Sequence, residues 1–341
     1  MRHIYNGSTS PPRNIYRTVD GNPKKILRAW RATSNSEYVK VWDVTDSVFE
    51  IKVARNQDGT MSANFQFGNF LGSTEVIIDF GDGSSATLNS KDYAVTHTYD
   101  ESIDNAIIKI NAKNCTQLNQ NFLSGASYDT SITVLEVSLS NNITMLGRYA
   151  FYEFSLIKVK LTENVERIGD WCFAYNTKLS KISLKQVAYI GVNAFNNCTS
   201  FTEITTPKSA TYVGEGAFYG CTNLKKAILN QSCDIASYQF YNCQSLSEVI
   251  ISDNVTGIGN HVFFKCKPLT SITIPNSVKT IRQYIFDGNY IRTINCNFTR
   301  QELVQRAINV ENIIEDYQSG VVYTFHCTDG DIVFNGSDYN T

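Results

Sequence analysis

Apolar residues return along the second half of the chain at a fixed interval of 22 or 23 residues. Each interval begins at an aliphatic anchor, usually followed by glycine: Leu146, Ile168, Ile190, Val213, Ile235, Ile258 and Ile281. A phenylalanine lies five residues after every anchor: Phe151, Phe173, Phe195, Phe218, Phe240, Phe263 and Phe286. A constant period of this length is typical of a solenoid, in which successive units stack on one another.

Later in each unit, apolar residues alternate with polar ones, as at Leu246, Val249 and Ile251. This alternation predicts one short strand per unit, and stacking would bury the apolar positions in one continuous core. The intervening side chains should project from one face and form a candidate partner-binding surface. They are Lys181, Ser183, Glu203, Thr205, Lys226, Ile228, Glu248 and Ile250. Lysine and glutamate alternate along this face, which is equally typical of an ordinary solvated surface, so both interpretations stay open.

The segments IGVNAFNNCTSFTEIT, VGEGAFYGCTNLKKAIL and ITIPNSVKTI resemble the BspA-like leucine-rich repeat, whose usual pattern is IGxxAFxxCxxLxxIxIPxxV. The likeness covers Ile132 to Phe298. It implies a right-handed solenoid with a parallel sheet on one face, used for binding rather than for catalysis. The first copy is one residue short in its loop and the last lacks the cysteine, as expected of units that cap a solenoid.

Upstream, the segments VIIDFGDGSSATLN, AVTHTYDE and AIIKINA predict strands around an Asp-Gly turn, after the earlier strands SVFEIKVA and ANFQFG. Together they resemble a PKD-type β-sandwich over Asp46–Asn111, on the strength of residues 79–83 and 97–99. The sequence departs from that family at Ile78, where an aromatic residue is usual, and lacks a proline-rich entry strand. The resemblance implies a fold and no specific function.

The two ends of the chain form separate segments. A short hairpin is predicted about Asp20 and Gly21, in a segment expected to dock on another chain or to pack on the sandwich. The C-terminal segment TRQELVQRAINVENIIEDY has helical spacing at Leu303, Ala307 and Val310 and an N-cap candidate in Thr299, and it should cover the open end of the solenoid. The expected organisation is mainly β: residues 1–43 for attachment, 44–112 a PKD/Ig-like β-sandwich, 113–298 a leucine-rich-repeat solenoid and 299–341 a short helical cap.

Composition and charge narrow the choice of partners. The 30 basic and 32 acidic residues give a net charge of −2 and form no long run of one sign, which argues against nucleic acid. The 19 Tyr and 19 Phe, beside only 6 Pro and 3 Met, favour packed strands. No run of about 18 apolar residues predicts a membrane span. The N-terminal residues also lack the apolar core of a signal peptide.

Nine cysteines might suggest a disulfide scaffold, but the count is odd and four of them follow the repeat: Cys198, Cys221, Cys243 and Cys266. A ladder of buried thiols is expected, because no CxxC pair or histidine at ligand spacing accompanies them. A Cys-His nucleophile would need His97 or His261 close to a thiol. His326 and Cys327 are adjacent and should point to opposite faces of a strand. No metal site and no cofactor are therefore expected.

Two further groups of residues have alternative interpretations. Asp79 and Asp82, with Gly83, could bind calcium or could cap backbone amides in a structural turn. The aromatic residues that follow the repeated phenylalanine could stack on sugars or could pack between turns of the solenoid. These aromatic residues are Tyr152, Tyr219, Tyr241 and Phe264.

These features favour a non-enzymatic binding or adhesion protein. The leading hypothesis is a bacteriophage virion component, made in the host cytoplasm, attached to other virion proteins by its N-terminal segment and displaying the solenoid towards a protein or cell-surface glycan. The N-terminal segment and the terminal VVYTFHCTDGDIVF look similar to the ends of phage structural proteins. A homo-oligomer would add avidity. The alternatives are a bacterial cell-surface adhesin and a glycan-active enzyme carrying these modules as accessories.

Overall fold

A computed structural model describes residues 16–19, 22–25, 28–32, 38–43, 46–56, 59, 61–66, 75–89, 94–113, 115–118, 132–307 and 322–335. The first ten strands are β1 (Tyr16–Val19), β2 (Asn22–Lys25), β3 (Arg28–Ala32), β4 (Tyr38–Asp43), β5 (Asp46–Arg55), β6 (Ser62–Gln66), β7 (Glu75–Asp79), β8 (Ser85–Asn89), β9 (Ala94–Thr98) and β10 (Asn105–Lys113).

The repeat region contributes fourteen strands to the part of the chain that is described. They are β11 (Gln117–Leu118), β12 (Ile132–Ser138), β13 (Met145–Leu146), β14 (Lys158–Lys160), β15 (Arg167–Ile168), β16 (Tyr189–Ile190), β17 (Glu203–Thr206), β18 (Tyr212–Val213), β19 (Lys226–Leu229), β20 (Glu248–Ile251), β21 (Gly257–Ile258), β22 (Ser271–Ile274), β23 (Thr280–Ile281) and β24 (Thr293–Cys296). After it come α1 (Arg300–Arg306), β25 (Val322–Cys327) and β26 (Gly330–Asn335).

The repeat forms a solenoid whose units contribute to two sets of parallel strands. The longer strands pair as β17-β19-β20 and as β22-β24. The expectation of one strand per unit was incomplete, because the anchors form a second set of two-residue strands, β11-β13-β15-β16-β18 and β21-β23. The expectation was wrong for residues 181–184, which form no strand although Ile182 and Leu184 are buried as the alternation requires.

A ladder of phenylalanines forms the centre of the solenoid. The seven repeated rings stack nearly parallel, with neighbouring centroids 5.2–6.0 Å apart. The glycine after the anchor allows this close stacking: a Cβ on Gly169 would lie 2.6 Å from the carbonyl carbon of Gly147, and one on Gly214 would lie 2.5 Å from the amide nitrogen of Val192. Sequence periodicity therefore predicted both the core and the contact between turns.

The six strands predicted upstream are all present and lie in two sheets. β5, β10, β7 and β8 pair antiparallel in one sheet, and β6 pairs with β9 in the other. Phe49, Ile51, Val76, Ile78 and Phe80 are buried in the core that these strands share. The resemblance to a PKD domain stays a prediction. The hairpin predicted about Asp20 and Gly21 agrees with the antiparallel pairing of β1 and β2, although those two residues lie outside the described part of the chain.

One sheet joins the upstream strands to the solenoid. β12 pairs antiparallel with β5 and parallel with β14, so that the order β14-β12-β5-β10-β7-β8 runs through both regions. The register shifts between Val134 and Glu136, where Leu135 bulges and is partly exposed. The upstream strands therefore continue the sheet that β12 and β14 form.

Helix α1 of the C-terminal cap ends before Ala307, which the sequence pattern places in the helix. Thr299 caps α1 as predicted, in a capping box with Glu302. The helix then ends at Arg306, and Ala307 is extended and forms a parallel bridge with Ile281. Val310 lies outside the described residues. A hairpin completes the cap, because β25 pairs parallel with β24 and antiparallel with β26.

Candidate binding surface

The alternate side chains of the longer strands form a surface that we call the sheet face. It consists of Glu136, Ser138, Lys158, Lys160, Lys181, Ser183, Glu203, Thr205, Lys226, Ile228, Glu248, Ile250, Ser271, Thr273, Thr293 and Asn295. Of the eight residues predicted from the sequence, six are exposed, while Lys226 and Ile228 are half-buried. Lys181 and Ser183 keep this exposure although their segment is not a strand. The register of β17, β19 and β20 aligns six of the eight predicted residues in two rows, one of Glu203, Lys226 and Glu248 and one of Thr205, Ile228 and Ile250.

Charges in the middle of the sheet face pair with each other. β19 and β20 set Lys226 opposite Glu248, and the Lys226 Nζ lies 2.7 Å from a carboxylate oxygen of Glu248. The hydrogen bond to Glu248 raises the pKa of Lys226, and the nearby charge of Glu203 acts in the same direction. Opposite charges on adjacent strands therefore satisfy one another, as cross-strand pairs commonly do.

Two isoleucines lie side by side next to this ion pair. The register of β19 and β20 places Ile228 opposite Ile250, and Thr205 is the neighbour of Ile228 on β17. Ile250 is 45% exposed, although the alternate residue Val249 is buried in the core. The centre of the sheet face is therefore a small apolar patch, formed by Ile228 and Ile250 and bordered by a lysine and a glutamate.

Beyond this apolar patch, the described side chains of the sheet face on β22 and β24 are uncharged. Ser271 and Thr273 on β22 lie opposite Thr293 and Asn295 on β24, which gives a patch of hydroxyl and amide groups. Sequence reasoning did not include these residues. The same alternation that marked the earlier units would have found them, because Ile272 and Ile294 are buried between them.

The opposite end of the sheet face is rich in lysine. Glu136 on β12 is only 8% exposed, and three lysine Nζ atoms surround its carboxylate: Lys160 at 2.6 Å, Lys158 at 3.3 Å and Lys52 at 3.9 Å. The hydrogen bond from Lys160 is the largest influence and, with Lys158, it lowers the pKa of Glu136 from 4.5 to about 2, although burial acts in the opposite direction. Because Lys52 belongs to β5, this cluster spans the junction of the upstream strands and the solenoid.

Another side of the solenoid carries aromatic residues on strained backbone. The third residue after each anchor has a positive φ of 52–60°, and it is aromatic in five of the seven units. These residues are Tyr149, Trp171, Tyr238, His261 and Tyr284. Residues other than glycine rarely adopt this left-handed region of backbone conformation.

The predicted aromatic stripe follows the same side and packs between turns. Tyr219 stacks on Tyr241 at 4.8 Å, and Tyr241 stacks on Phe264 at 4.5 Å. Tyr152 belongs to a separate cluster with Trp171 and Tyr175. Stacking between turns covers faces of these rings, so the packing interpretation agrees with the geometry.

The repeated cysteines form the expected ladder of buried thiols. Each Sγ lies within hydrogen-bonding distance of the carbonyl oxygen of the repeated phenylalanine one turn earlier, at 3.1 Å for Cys198 and Phe173 and at 3.3 Å for Cys243 and Phe218. Asn176 occupies the same place and donates to the carbonyl of Phe151 at 2.7 Å. Burial raises the pKa of the ladder thiols, which keeps them protonated and unreactive.

Asp79 and Asp82 bind the backbone of their own turn. Asp79 accepts a hydrogen bond from the amide of Gly81, and Asp82 accepts one from the amide of Ser84, both at 2.9 Å. A second oxygen of Asp82 lies 2.7 Å from His97 Nε2. Burial raises the pKa of Asp82, but the hydrogen bonds of Ser84 and His97 outweigh it and lower the value to about 2. This geometry is that of the structural turn.

The histidines considered for catalysis have other neighbours. His97 stacks on Phe80 at 4.1 Å, and His261 stacks on Tyr238 at 5.2 Å. His326 is exposed and its Nδ1 lies 2.9 Å from Asp331, while the neighbouring Cys327 faces the core as the alternation predicts. Among the described residues, no group of three or more His, Cys, Asp or Glu side chains is placed to hold a metal ion.

Comparison with protein families decides the classification. The model of the BspA type leucine rich repeat region matches residues 124–225 and 175–299 in six copies, and so covers more than half of the chain. The chain belongs to the BspA-type leucine-rich-repeat family. The sheet face thus lies on the longer strands of a BspA-type solenoid of about seven turns. The BspA-like leucine-rich-repeat solenoid predicted from the repeat pattern is confirmed.

Several solved structures are similar to this BspA-type protein. A leucine-rich-repeat protein of T. pallidum shares 23% identity at a TM-score of 0.42, over 46% of this chain and 72% of that one. One from Bacteroides ovatus shares 20% identity at a TM-score of 0.42, over 58% and 56% of the two chains. A leucine rich cell surface protein from Faecalibacterium prausnitzii shares 15% identity at a TM-score of 0.24, over 60% and 83%. No curated protein matches the chain. The described part of the BspA-type chain contains no helix long and apolar enough to cross a membrane.

Proposed function

We propose that this protein is a non-enzymatic binding protein that recognises a protein partner through the sheet face. The observation that carries the proposal is the pair of the exposed Ile250 and the half-buried Ile228, set beside the ion pair of Lys226 and Glu248. An apolar centre with a charged border is the arrangement that protein interfaces use for their strongest contacts. A partner with an apolar side chain between an acidic and a basic residue would fit it.

The geometry favours an extended partner surface over a small ligand. The sheet face continues over strands on both sides of the isoleucine pair, with lysines at one end and hydroxyl groups at the other. The described cleft beside it, lined by Leu161, Val165, Ser183, Lys185 and Val187, has a volume of about 270 Å³. Small-molecule sites are usually at least as large and more enclosed. The flat face is therefore the stronger candidate.

A single substitution tests whether the apolar patch of Ile228 and Ile250 binds the partner. Ile250→Arg places a charge on the apolar centre, and Val304→Arg on helix α1 provides a matched control, because Val304 is 60% exposed and lies away from the sheet face. The probes are the labelled full-length protein and an array of purified cell-surface proteins and glycans. We expect binding to a protein to fall at least about tenfold in Ile250→Arg and to stay unchanged in Val304→Arg. Equal binding by both variants, or binding to glycans alone, would contradict the proposal.

The place of this protein in a larger assembly is a separate part of the proposal. We favour a bacteriophage virion component that attaches through residues 1–43, because its ends look similar to those of phage structural proteins. The side chains of that segment, including Trp30 and Trp42, lie outside the described residues. A free-standing cell-surface adhesin is the rival, and the glycan-active enzyme would be revived by turnover in a hydrolysis screen.

Light scattering distinguishes the virion component from the cell-surface adhesin. If residues 1–43 assemble the protein, the full-length chain is an oligomer and the chain lacking them is a monomer with an unchanged circular dichroism spectrum per residue. If both are monomers, the adhesin becomes the better hypothesis.

A further inference from the structure

Two cysteines lie side by side at the C-terminal end of the solenoid. β24 and β25 are parallel neighbours, with Thr293 opposite Thr324 and Asn295 opposite His326. Cys296 and Cys327 are the next residue on each strand, and both side chains point inward, Cys296 with 3% exposure. The two thiols also lie close enough to shift each other's pKa. Adjacent strands lie about 4.8 Å apart, within the Cα separation that a disulfide spans.

This pair differs from the cysteine ladder in two respects. The ladder thiols are fully buried, and each is directed at a backbone carbonyl oxygen, as Cys221 is at that of Phe195. Cys327 is only partly buried and can therefore be reached from solvent. Both cysteines of the pair are reduced in the structure. They form a modification site that the repeat pattern does not explain.

We propose that Cys296 and Cys327 form an intramolecular disulfide when the protein meets a low-molecular-weight disulfide such as oxidised glutathione. The Cys327 thiolate attacks one glutathione sulfur, and one glutathione thiolate leaves. Cys296 then loses its proton to the leaving thiolate and attacks the Cys327 sulfur, which releases the second glutathione. The two electrons lost by the cysteines reduce the glutathione disulfide to two thiols, so the exchange needs no other oxidant.

Surrounding charges set the rate of this exchange. Burial raises the pKa of Cys327, and the carboxylates of Asp329 and Asp331 act in the same direction. The hydrogen bond from Cys296 and the charge of Arg300 oppose this effect without cancelling it. Burial raises the pKa of Cys296 as well, the neighbouring Cys327 thiol acts in the same direction, and the charge of Arg306 lowers the pKa without cancelling these effects. Because thiolates carry out the exchange, the reaction accelerates as the pH rises from 7 to 9.

The disulfide would hold the end of the solenoid closed. It would tie the hairpin β25–β26 to the last longer strand and close a loop of about 30 residues that contains helix α1. Closing a loop of this length restricts the unfolded chain, so the oxidised protein should melt at a temperature higher by about 5 °C or more.

Peptide mapping of the folded full-length protein tests the proposal. After incubation in a buffer of oxidised and reduced glutathione and alkylation of free thiols, trypsin releases residues 293–300, with Cys296, and residues 307–341, with Cys327. We expect these two peptides joined and lighter by two hydrogens, in a yield that rises with pH. Recovery of both peptides alkylated, or of Cys327 carrying glutathione alone, would overturn the proposal.

Two variants make the thermal measurement specific. Cys327→Ser should melt like the wild type under reducing conditions and lose the increase in melting temperature on oxidation. Cys233→Ser, at another partly buried cysteine, should keep the increase. An equal increase in Cys327→Ser would place the stabilising bond elsewhere and would also overturn the proposal.

Discussion

One position, eight residues after the anchor, holds the backbone of the preceding turn in the five units whose anchors are Ile168, Ile190, Val213, Ile235 and Ile258. A cysteine there donates one weak hydrogen bond to a carbonyl. Asn176 does more, since it donates to the carbonyls of Phe151 and Phe173 and accepts from the amide of Leu156. Neutral cysteine and asparagine can exchange at this position because both donate towards the same carbonyl and neither brings a charge into the core.

We expect Asn176→Ala to lower the free energy of unfolding by about 2–4 kcal/mol, because it removes the three buried hydrogen bonds that the Asn176 side chain makes to the backbone. Asn176→Cys should lose less, since a thiol can still reach the Phe151 carbonyl. Urea unfolding measures both, with the exposed Asn141→Ala as control. If the alanine and cysteine variants were equally unstable, the hydrogen bond to the preceding turn would not be what this position supplies.

A second residue-scale feature is the left-handed backbone seven residues after each anchor. Gly220 and Gly288 occupy it in two units, whereas Lys265 adopts it with φ of 59°. We expect Lys265→Gly to raise the free energy of unfolding by about 0.5–1 kcal/mol, because glycine removes the steric cost of this conformation. Lys267→Gly makes the same chemical change at a residue without positive φ and should destabilise the protein in the same urea titration. A loss of stability at position 265 would contradict this account.

At the scale of secondary-structure elements, the junction depends on how β12 is held. This strand pairs with β5 on one side and β14 on the other, and the carboxylate of Glu136 attracts lysines from both neighbours. A carboxylate that is nearly buried needs such partners, because an unpaired one would be costly to remove from water. The ion cluster therefore links β12 to both β5 and β14.

The pH dependence of stability follows from this cluster. The pKa of Glu136 is lowered to about 2, so its contribution to stability is complete above about 4.5 and is lost as the pH falls towards 2. Glu136→Gln should lower stability at pH 7 and flatten the decrease between pH 4.5 and 2, as followed by urea unfolding at each pH. The exposed Glu163→Gln should leave the profile unchanged. A profile of Glu136→Gln as steep as that of the wild type would assign the acid sensitivity to other groups.

Sequence reasoning recovered the elements that carry a period. The anchors, the phenylalanine ladder, the exposure of six of the eight predicted surface residues and the N-cap at Thr299 follow from spacing alone. It missed the two-residue strands, such as β15, because so short a strand has no alternation to detect. It also missed the pairing of β5 with β12 and of β24 with β25, because no local pattern marks a partner so distant along the chain.

The whole molecule behaves as a row of units, each stabilised by its neighbours. Phe218 lies in the middle of the row, with ring centroids of Phe195 and Phe240 both 5.4 Å away. Phe286 ends the ladder and stacks on Phe263 alone, at 6.0 Å. Loss of an interior ring should therefore divide the row, whereas loss of the terminal ring should only shorten it.

We expect Phe218→Ala to cost about 3–5 kcal/mol and to separate unfolding into two steps. Hydrogen exchange followed by mass spectrometry should show the units on either side of residue 218 opening at different free energies. Phe286→Ala should increase exchange in the last unit and leave the earlier ones protected. A single cooperative loss of protection in Phe218→Ala would show that the core is coupled over its full length.

The pairing of β5 with β12 also imposes an order on biosynthesis. β5 ends at Arg55, but the strand that covers one of its edges ends at Ser138. A ribosome adding about 5–20 residues per second needs several seconds to travel between them. During that interval an edge of β5 has no native neighbour, and an open edge readily joins strands of other nascent chains. We therefore expect the protein to be most prone to aggregate during translation, when closely spaced ribosomes on one messenger RNA hold several nascent chains near each other.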